Sequence, residues 1–412
     1  MEWPSFFTNN LKQKKRIYLD HAGATEMSAR AKRALIESLE NYGNPSALYE
    51  EGVTSKRALA SAKKEIANVL SCQAHELYIT GTGTESVTLA LMGVLHFWEE
   101  KNKSRTTGKG ILPHIITTEI EHPAVRELCK RFEKEKRVRV TYLSVDRHGL
   151  ITKEQVKEAL SPETILVTIM QVNNEVGSIM PIKEIGRMIS LSKKEKKSEY
   201  PYFHTDACQA VNYLSVDVHS LRVDLMTINS SKIYGPKGIG LLYKNEKCHV
   251  SPVIVGGGQE RGLRSGTEAV ALVTSFAEAM KETRELRDSE RERLFELVLF
   301  TKGLLETILP AITFYASFKK EERIANNLNF RLPGIQSDEM IVRLDSLGFA
   351  VSHKSACASE DESMSYVIKA LGAKDNEATE NIRVTLGRTT TKEDMKKFVG
   401  AVTSIYQKYS HR

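Results

Sequence analysis

Nowhere in the 412 residues does an apolar run approach the roughly 20 residues of a membrane helix, which argues against a helical membrane protein. The start, Met1-Glu2-Trp3-Pro4, has neither a basic n-region nor an apolar h-region, so no secretory signal is visible and a cytoplasmic location is expected. Cysteine is sparse: Cys72, Cys129, Cys208, Cys248 and Cys357 are odd in number and widely spread, which fits neither a disulfide framework nor a CxxC metal clip. His204, Asp206 and Cys208 fall at period 2 on one strand-like stretch and make a poor ligand set, so no metal is expected. The GxxxxGK[ST] spacing of a nucleotide P-loop is missing. An excess of seven positive charges, 59 basic against 52 acidic residues, includes runs at Lys12, Lys14, Lys15, Arg16 and at Lys193, Lys194, Lys196, Lys197. No aromatics interleave with them, so they read as solvated surface rather than as a nucleic-acid site.

What is present suits a large soluble core, with 41% hydrophobic residues. Strand patterns at His114 to Thr118, Arg139 to Leu143, Ile165 to Met170, Tyr202 to Thr205, Asp224 to Ile228 and Gly240 to Tyr243 alternate with helical ones. The helical patterns lie at Ala31 to Leu39, Ala60 to Leu70, Val125 to Phe132 and Ile182 to Leu191. That alternation predicts an α/β fold whose mostly parallel sheet is covered on both faces. A long helical stretch from Ala269 to Leu309, expected to break once, leads into a smaller α+β domain. No internal repeat is visible, and Lys101 to Leu112 and Ser192 to Tyr200 read as peripheral loops.

Three local patterns carry chemistry. Lys232 follows a strand and precedes Gly235-Pro236-Lys237-Gly238. A partly desolvated amine there can lose its proton and form an imine with a carbonyl cofactor, although a lone lysine before a turn is more often solvated. Gly81-Thr82-Gly83-Thr84-Glu85-Ser86 joins a short strand to a helix and frees backbone N–H groups for an anion, a phosphate cup. Tyr202 to Thr205 reads as a buried strand that delivers Asp206, a carboxylate able to keep a pyridine nitrogen protonated.

These features resemble the fold-type-I enzymes of pyridoxal 5'-phosphate (PLP), and the finer text narrows the family. Tyr18-Leu19-Asp20, Gly43-Asn44-Pro45-Ser46, Glu121-His122, Asn173-Asn174-Glu175-Val176-Gly177, Asp206-Ala207-Cys208-Gln209, Gly256 through Thr267, Ser355-Ala356-Cys357 and Ile382-Arg383 are similar to the cysteine desulfurases of the class V aminotransferase group, in one collinear order from about Ile17 to near the C-terminus. The resemblance implies a PLP-binding large domain at 16–268, a small domain at 269–412 that carries the catalytic-cysteine loop, and a tail at 1–15 packing with the small domain. It also implies roles. Lys232 would hold PLP and shuttle protons, Asp206 would pair with the ring nitrogen, and His122 would stack on the ring, with helix capping as its alternative. Gln209 and Asn174 would bond near the ring oxygen. Gly83, Thr84 and Ser231 would hold the phosphate, with Thr267 reaching it from the neighbouring subunit of a homodimer. Arg383 would take the substrate carboxylate, a structural salt bridge being the alternative. Cys357, in a small and polar segment, would attack the sulfur of L-cysteine and carry it as a persulfide to an acceptor protein such as an iron–sulfur scaffold or sulfur carrier. His353 and Lys354 are the candidates for activating its thiol.

Some positions depart from the family's common text: Ser231 replaces the usual histidine before the lysine, Lys354 stands where a glycine or serine is frequent, and Ala47-Leu48-Tyr49 replaces a histidine. The Ala47-Leu48-Tyr49 segment, with Ile169-Met170 and Ile179-Met180-Pro181, resembles selenocysteine lyases, and Asp20-His21-Ala22-Gly23-Ala24-Thr25 resembles the opening of molybdenum cofactor sulfurases. A selenocysteine lyase or another class V PLP reaction therefore stays as an alternative, with a non-catalytic scaffold behind it.

Overall fold

In the described residues of the computed structural model, 16–102, 112–354 and 364–410, the strands in chain order are β1 (Ile17–Tyr18), β2 (Leu77–Thr80), β3 (His114–Thr118), β4 (Arg139–Leu143), β5 (Thr164–Thr168), β6 (Tyr202–Asp206), β7 (Leu225–Asn229), β8 (Gly240–Lys244), β9 (Thr313–Phe314), β10 (Asn327–Arg331), β11 (Phe349–Ala350) and β12 (Asn381–Thr385). Seven form one sheet in the order β2-β8-β7-β6-β5-β3-β4. Its pairings are parallel except for those of β8, which is antiparallel to both neighbours. The strands read as continuous apolar runs because both faces are covered. Successive residues serve opposite sides: Ile116, Val167, Phe203, Met226 and Leu241 join one buried cluster, while Ile115, Leu166, Tyr202, Leu225 and Leu242 join the other.

The helix Val270–Ile308 then runs unbroken for 39 residues. The expected break is wrong, because the polar stretch Lys281 to Arg293 contains neither Gly nor Pro and its charges have partners. Arg293 donates to the carbonyls of Gly387, Arg388 and Thr390, and Arg388 pairs with Glu282 at 2.8 Å, so the charged middle holds the turn after β12. The loop expected at Ser192 to Tyr200 is also shorter, since the helix Ile182–Lys196 continues into it. Most of the other expected loop lies outside the described residues, as does the 1–15 tail.

Beyond that helix β12, β10 and β9 form a small antiparallel sheet. The chain's beginning returns to it: β1 pairs with β11, and Asp20 bridges Thr385. The Asn174 loop is pinned to the same region, where Ile324 N–H donates to the Gly177 carbonyl at 2.8 Å and the Asn327 and Asn329 amides donate to the Glu175 carbonyl at 3.1 and 3.0 Å.

The buried titratable groups give a stability profile. His114 bridges Thr164 and Thr141, His204 bridges Thr168 and Thr227, and His21 lies against Gly387; burial pushes each of the three down to about 4. Below 6.5 the unfolded chain binds protons that the folded chain refuses, so their contribution is complete above 6.5 and is lost as pH falls toward 4. Glu121 has the opposite sign. Burial raises it to about 8, so its contribution is complete below 4.5 and is lost as pH rises through 8. Each such proton is worth about 1.4 kcal/mol per pH unit within its window. Denaturant unfolding is expected to show greatest stability near pH 6.5, with the steeper loss on the acid side. Stability that kept climbing from pH 6.5 to 8 would contradict the assignment for Glu121.

Candidate active site

The parallel strands β3, β5, β6 and β7, together with β2, point their carboxyl ends toward one cleft, where α/β sheets place ligands. Gly83 and Thr84 line it from the loop after β2, His122 from the loop after β3, and Asn174 from the loop after β5. Asp206 ends β6, Gln209 follows it, and Lys232 sits one 3₁₀ turn beyond β7. Arg383 reaches the same cleft from the middle of β12, in the other sheet.

Local structure explains each placement. Asn229 ends β7 and its side chain accepts from Ser231 N–H at 3.3 Å, which starts the turn that presents Lys232. The Lys232 ammonium donates to the Ala22 carbonyl at 2.9 Å and to the Gly23 carbonyl. At the cup, Thr82 caps the helix Gly83–Lys101 by accepting from Glu85 N–H at 3.0 Å. Gly240 lets the cup loop cross β8, because a Cβ there would meet the Thr82 carbonyl carbon at 2.6 Å. Glu85 would repel an anion at this helix start, but Arg264 pairs with it at 2.8 Å and Gly81 N–H donates to it at 2.8 Å. Asp206 accepts from Cys208 N–H at 2.9 Å.

His122 meets both sequence expectations of position: it lines the cleft and caps the helix Pro123–Lys134, its Nδ1 accepting from Ala124 N–H at 3.2 Å. That bond assigns the ring hydrogen to Nε2. Burial holds its pKa below the ordinary histidine value, and Lys232 and Arg383 add to the effect against Asp206, so the ring is neutral. Arg383 realises the salt bridge anticipated as its alternative: Nη2 meets Asp20 Oδ1 at 2.8 Å and Nη1 donates to the Asn174 carbonyl at 3.1 Å. Its Nε and the Asn174 Oδ1 are buried with no hydrogen-bond partner among the described residues, two polar atoms left for a ligand.

Two expected residues stand apart from the cleft. Ser231 is buried beside it, with its hydroxyl on Asn229 Oδ1 at 3.2 Å and its carbonyl accepting from Thr25 N–H at 2.8 Å. Thr267 is exposed and does not line this chain's own cleft. Cys357 lies outside the described residues; its described neighbour His353 is 8% exposed, and burial lowers its pKa. Sequence reasoning missed Asp20 as the partner of Arg383, although the Tyr18-Leu19-Asp20 motif marks its position. It also gave no cleft role to Cys208, whose thiol burial pushes well above its ordinary pKa.

The residues fit PLP: a helix start whose carboxylate is paired with Arg264, a strand-end acid, a neutral imidazole and a lysine converge on one cleft. Among the described residues no group of three or more potential ligands could hold a metal ion, and no helix is long and apolar enough to cross a membrane.

Comparison with known proteins agrees. Residues 17–398 match the aminotransferase class-V family, whose cysteine desulfurase members depend on PLP. The chain is 36% identical to a putative cysteine desulfurase IscS 1 of Bacillus subtilis over 95% of this chain and 99% of the relative. It is 34% identical to a cysteine desulfurase IscS of Methanosarcina thermophila, over 96% and 93%. A solved NifS-like protein superposes with a TM-score of 0.85 at 29% identity, over 95% of this chain and 99% of that one. The structure of SspA in complex with cysteine superposes at 0.73 with 30% identity, over 90% and 98%. The chain thus belongs to the class-V aminotransferase family, among its PLP-dependent cysteine desulfurases.

Proposed function

We propose that the protein converts L-cysteine to L-alanine and passes the sulfur to Cys357 as a persulfide, for delivery to an acceptor protein such as an iron–sulfur scaffold or a sulfur carrier. The observation that carries this reading is the convergence of Lys232, Asp206 and His122 at the strand ends with Arg383 from the other sheet. When bound, PLP supplies a carbonyl carbon for the substrate amine and a ring that takes up an electron pair. Lys232 would anchor it and move a proton at its amine, Asp206 would hold the ring nitrogen, and His122, a neutral imidazole lining the same cleft, would stack on the ring. Asn174 and Gln209 would bond the ring oxygen region, and Gly83 and Thr84 would hold the phosphate, with Ser231 contributing only through Asn229, which lines the cleft. Arg383 binds the substrate carboxylate. The Cys357 thiolate forms an S–S bond with the substrate sulfur as the C–S bond breaks, and a proton goes to the carbon that becomes the methyl group of alanine.

A division into a large PLP-binding domain at 16–268 and a small domain at 269–412 is supported by the two separate sheets and by the helix that begins at Val270. The reading includes a cytoplasmic protein and a homodimer in which Thr267 completes the phosphate site of the partner subunit. Exposure of Thr267 outside its own cleft supports the dimer, as do the exposed Val255 (78%) and Ile254 (41%) before the glycine-rich segment.

Purified PLP-loaded protein given L-cysteine and a reductant should release sulfide and alanine in equal amounts. Turnover of selenocysteine alone would move the assignment to the selenocysteine lyases, an alternative that the desulfurase names of the relatives do not favour. For assembly, mixing inactive Lys232→Ala and Thr267→Val subunits should restore partial activity, and full activity in a strict monomer by light scattering would refute the shared site.

A further inference from the structure

Asp20 is built into its place. The Tyr18 hydroxyl donates to the Asp20 and Ala24 carbonyls at 3.0 and 2.8 Å, which fixes the turn, and Asp20 bridges Thr385 on the same strand as Arg383. Its Oδ2 lies over Gly23, where a Cβ would meet it at 2.3 Å, so a residue other than glycine at 23 would displace the carboxylate. Its Oδ1 meets Arg383 Nη2 at 2.8 Å, and the Arg383 side chain is 1% exposed. The guanidinium at the proposed carboxylate site therefore already carries a counter-anion supplied by the chain itself.

We propose that Asp20 is an internal carboxylate that shares Arg383 with the substrate carboxylate and, by weakening that second pairing, sets the affinity for L-cysteine. The proposal rests on the reading of Arg383 as the carboxylate site. Arg383 has five N–H groups, of which one goes to Asp20 and one to the Asn174 carbonyl. The rest, including the Nε–H that has no partner among the described residues, can receive a second carboxylate without eviction of the first. That substrate carboxylate is then the second anion around one cation, in a site where Coulomb repulsion is weakly screened. The result is binding looser than an uncompensated arginine would give. Asp20 touches neither substrate nor cofactor in this scheme and acts only through Arg383, as a positioning and affinity-setting residue.

Asp20→Asn keeps an oxygen acceptor beside Nη2 and removes the charge. The free variant then holds a buried guanidinium without a counter-ion, a cost that an amino-acid carboxylate relieves on binding. Calorimetric titration of the PLP-loaded protein with L-alanine, which carries the carboxylate and no sulfur, should show binding about tenfold tighter in Asp20→Asn than in wild type. KM for L-cysteine should fall by a similar factor. The ligand-free melting temperature should drop while the rise produced by saturating L-alanine grows, a pair of changes that a purely structural Asp20 would not give. Unchanged or weaker L-alanine binding in Asp20→Asn overturns the proposal. Wild-type protein supplies a second measurement should the variant not fold. With Arg383 already compensated, L-alaninamide, which lacks the negative charge, should bind within about tenfold of L-alanine, and a penalty of about a hundredfold or more overturns the proposal equally. An Arg383→Gln arm separates the two readings. Binding of L-alanine unaffected by Arg383→Gln means that the carboxylate site itself was misassigned, whereas loss of binding there with no tightening in Asp20→Asn removes only the role of Asp20.

Discussion

Lys232→Ala is expected to lower kcat/KM for L-cysteine by at least about 10³-fold, because one residue supplies both the covalent anchor and the proton-moving amine. The geometry behind the expectation is specific. Lys232 lines the cleft that also holds Asp206 and the Gly83-Thr84 helix start, while nearby Lys237 is exposed on the glycine-rich turn. Borohydride reduction of the PLP-loaded wild type followed by peptide mapping should place the pyridoxyl group on Lys232. A label on Lys237 would overturn the assignment, as would a Lys232→Ala protein that turned over L-cysteine within tenfold of wild type. Exogenous small amines should restore part of the lost proton transfer, since what the variant lacks at the reacting atoms is an amine. Arg383→Lys is a useful contrast. It should raise KM while the absorbance of bound PLP stays as in wild type, because Arg383 reaches the cleft from β12, whereas the proposed cofactor ligands stand on the large sheet.

The large sheet was legible because its strands are buried on both faces and so read as apolar blocks. His114 to Thr118 and Arg139 to Leu143 fell on β3 and β4 residue for residue, and the other expected strands fell within one or two residues of β5 to β8. β2, at Leu77–Thr80, was legible through the glycine-threonine cup after it. The long helix was placed correctly and broken wrongly. A charged run with no strong apolar stripe looks like a loop from sequence, and its partners Gly387, Arg388 and Thr390 lie about a hundred residues away. The pairing of β1 with β11 was equally invisible, since two-residue strands carry no period.

The same division applies to the site. Residues that a local pattern announces, such as Lys232 before Gly235-Pro236, Asp206 at a strand end and Gly83 after a strand, are where the sequence put them. Long-range couplings are not written in any local pattern. Asp20 with Arg383, 363 residues apart, and Lys63 with Glu260 at 2.6 Å under the glycine-rich segment emerge only when the chain is folded. His122 shows a third case. Capping and cofactor stacking looked like rivals in sequence, yet one nitrogen on the Ala124 N–H leaves the ring face available to the cleft.

Cys357→Ser should abolish sulfide and persulfide production, by at least about 10³-fold, while PLP absorbance and the binding of L-cysteine persist, because the proposed mechanism assigns binding and sulfur acceptance to different residues. The other four cysteines are poor candidates on physical grounds. Cys129 and Cys248 are buried, and burial raises their thiols far from the thiolate range; Cys72 is pushed up to about 12, and Cys208, although it lines the cleft, is raised well above its ordinary value with Asp206 adding to the effect of burial. Since the thiolate is the nucleophile, none of these four is activated. The described residues on either side of 355–363 end at the site. On one side Ser352 exchanges backbone hydrogen bonds with Arg383, at 2.7 and 3.2 Å, and Asn381 donates to the His353 carbonyl at 2.7 Å. On the other, the Ser365 hydroxyl donates to Glu175 Oε2 at 2.5 Å and the Tyr366 hydroxyl to the Glu121 carbonyl at 2.6 Å, the neighbours of Asn174 and His122. Cys357 is three residues from Lys354 along the chain, a span of at most about 11 Å. His353, buried and with a lowered pKa, is neutral near pH 7 and offers no positive charge to the thiol, which leaves Lys354 as the residue whose removal should raise the thiol pKa. The pH at which iodoacetamide labels Cys357 in Lys354→Ala against wild type would measure that. Sulfide release from Cys357→Ser at near wild-type rate under reducing conditions would sink both the assignment of Cys357 and the persulfide step built on it.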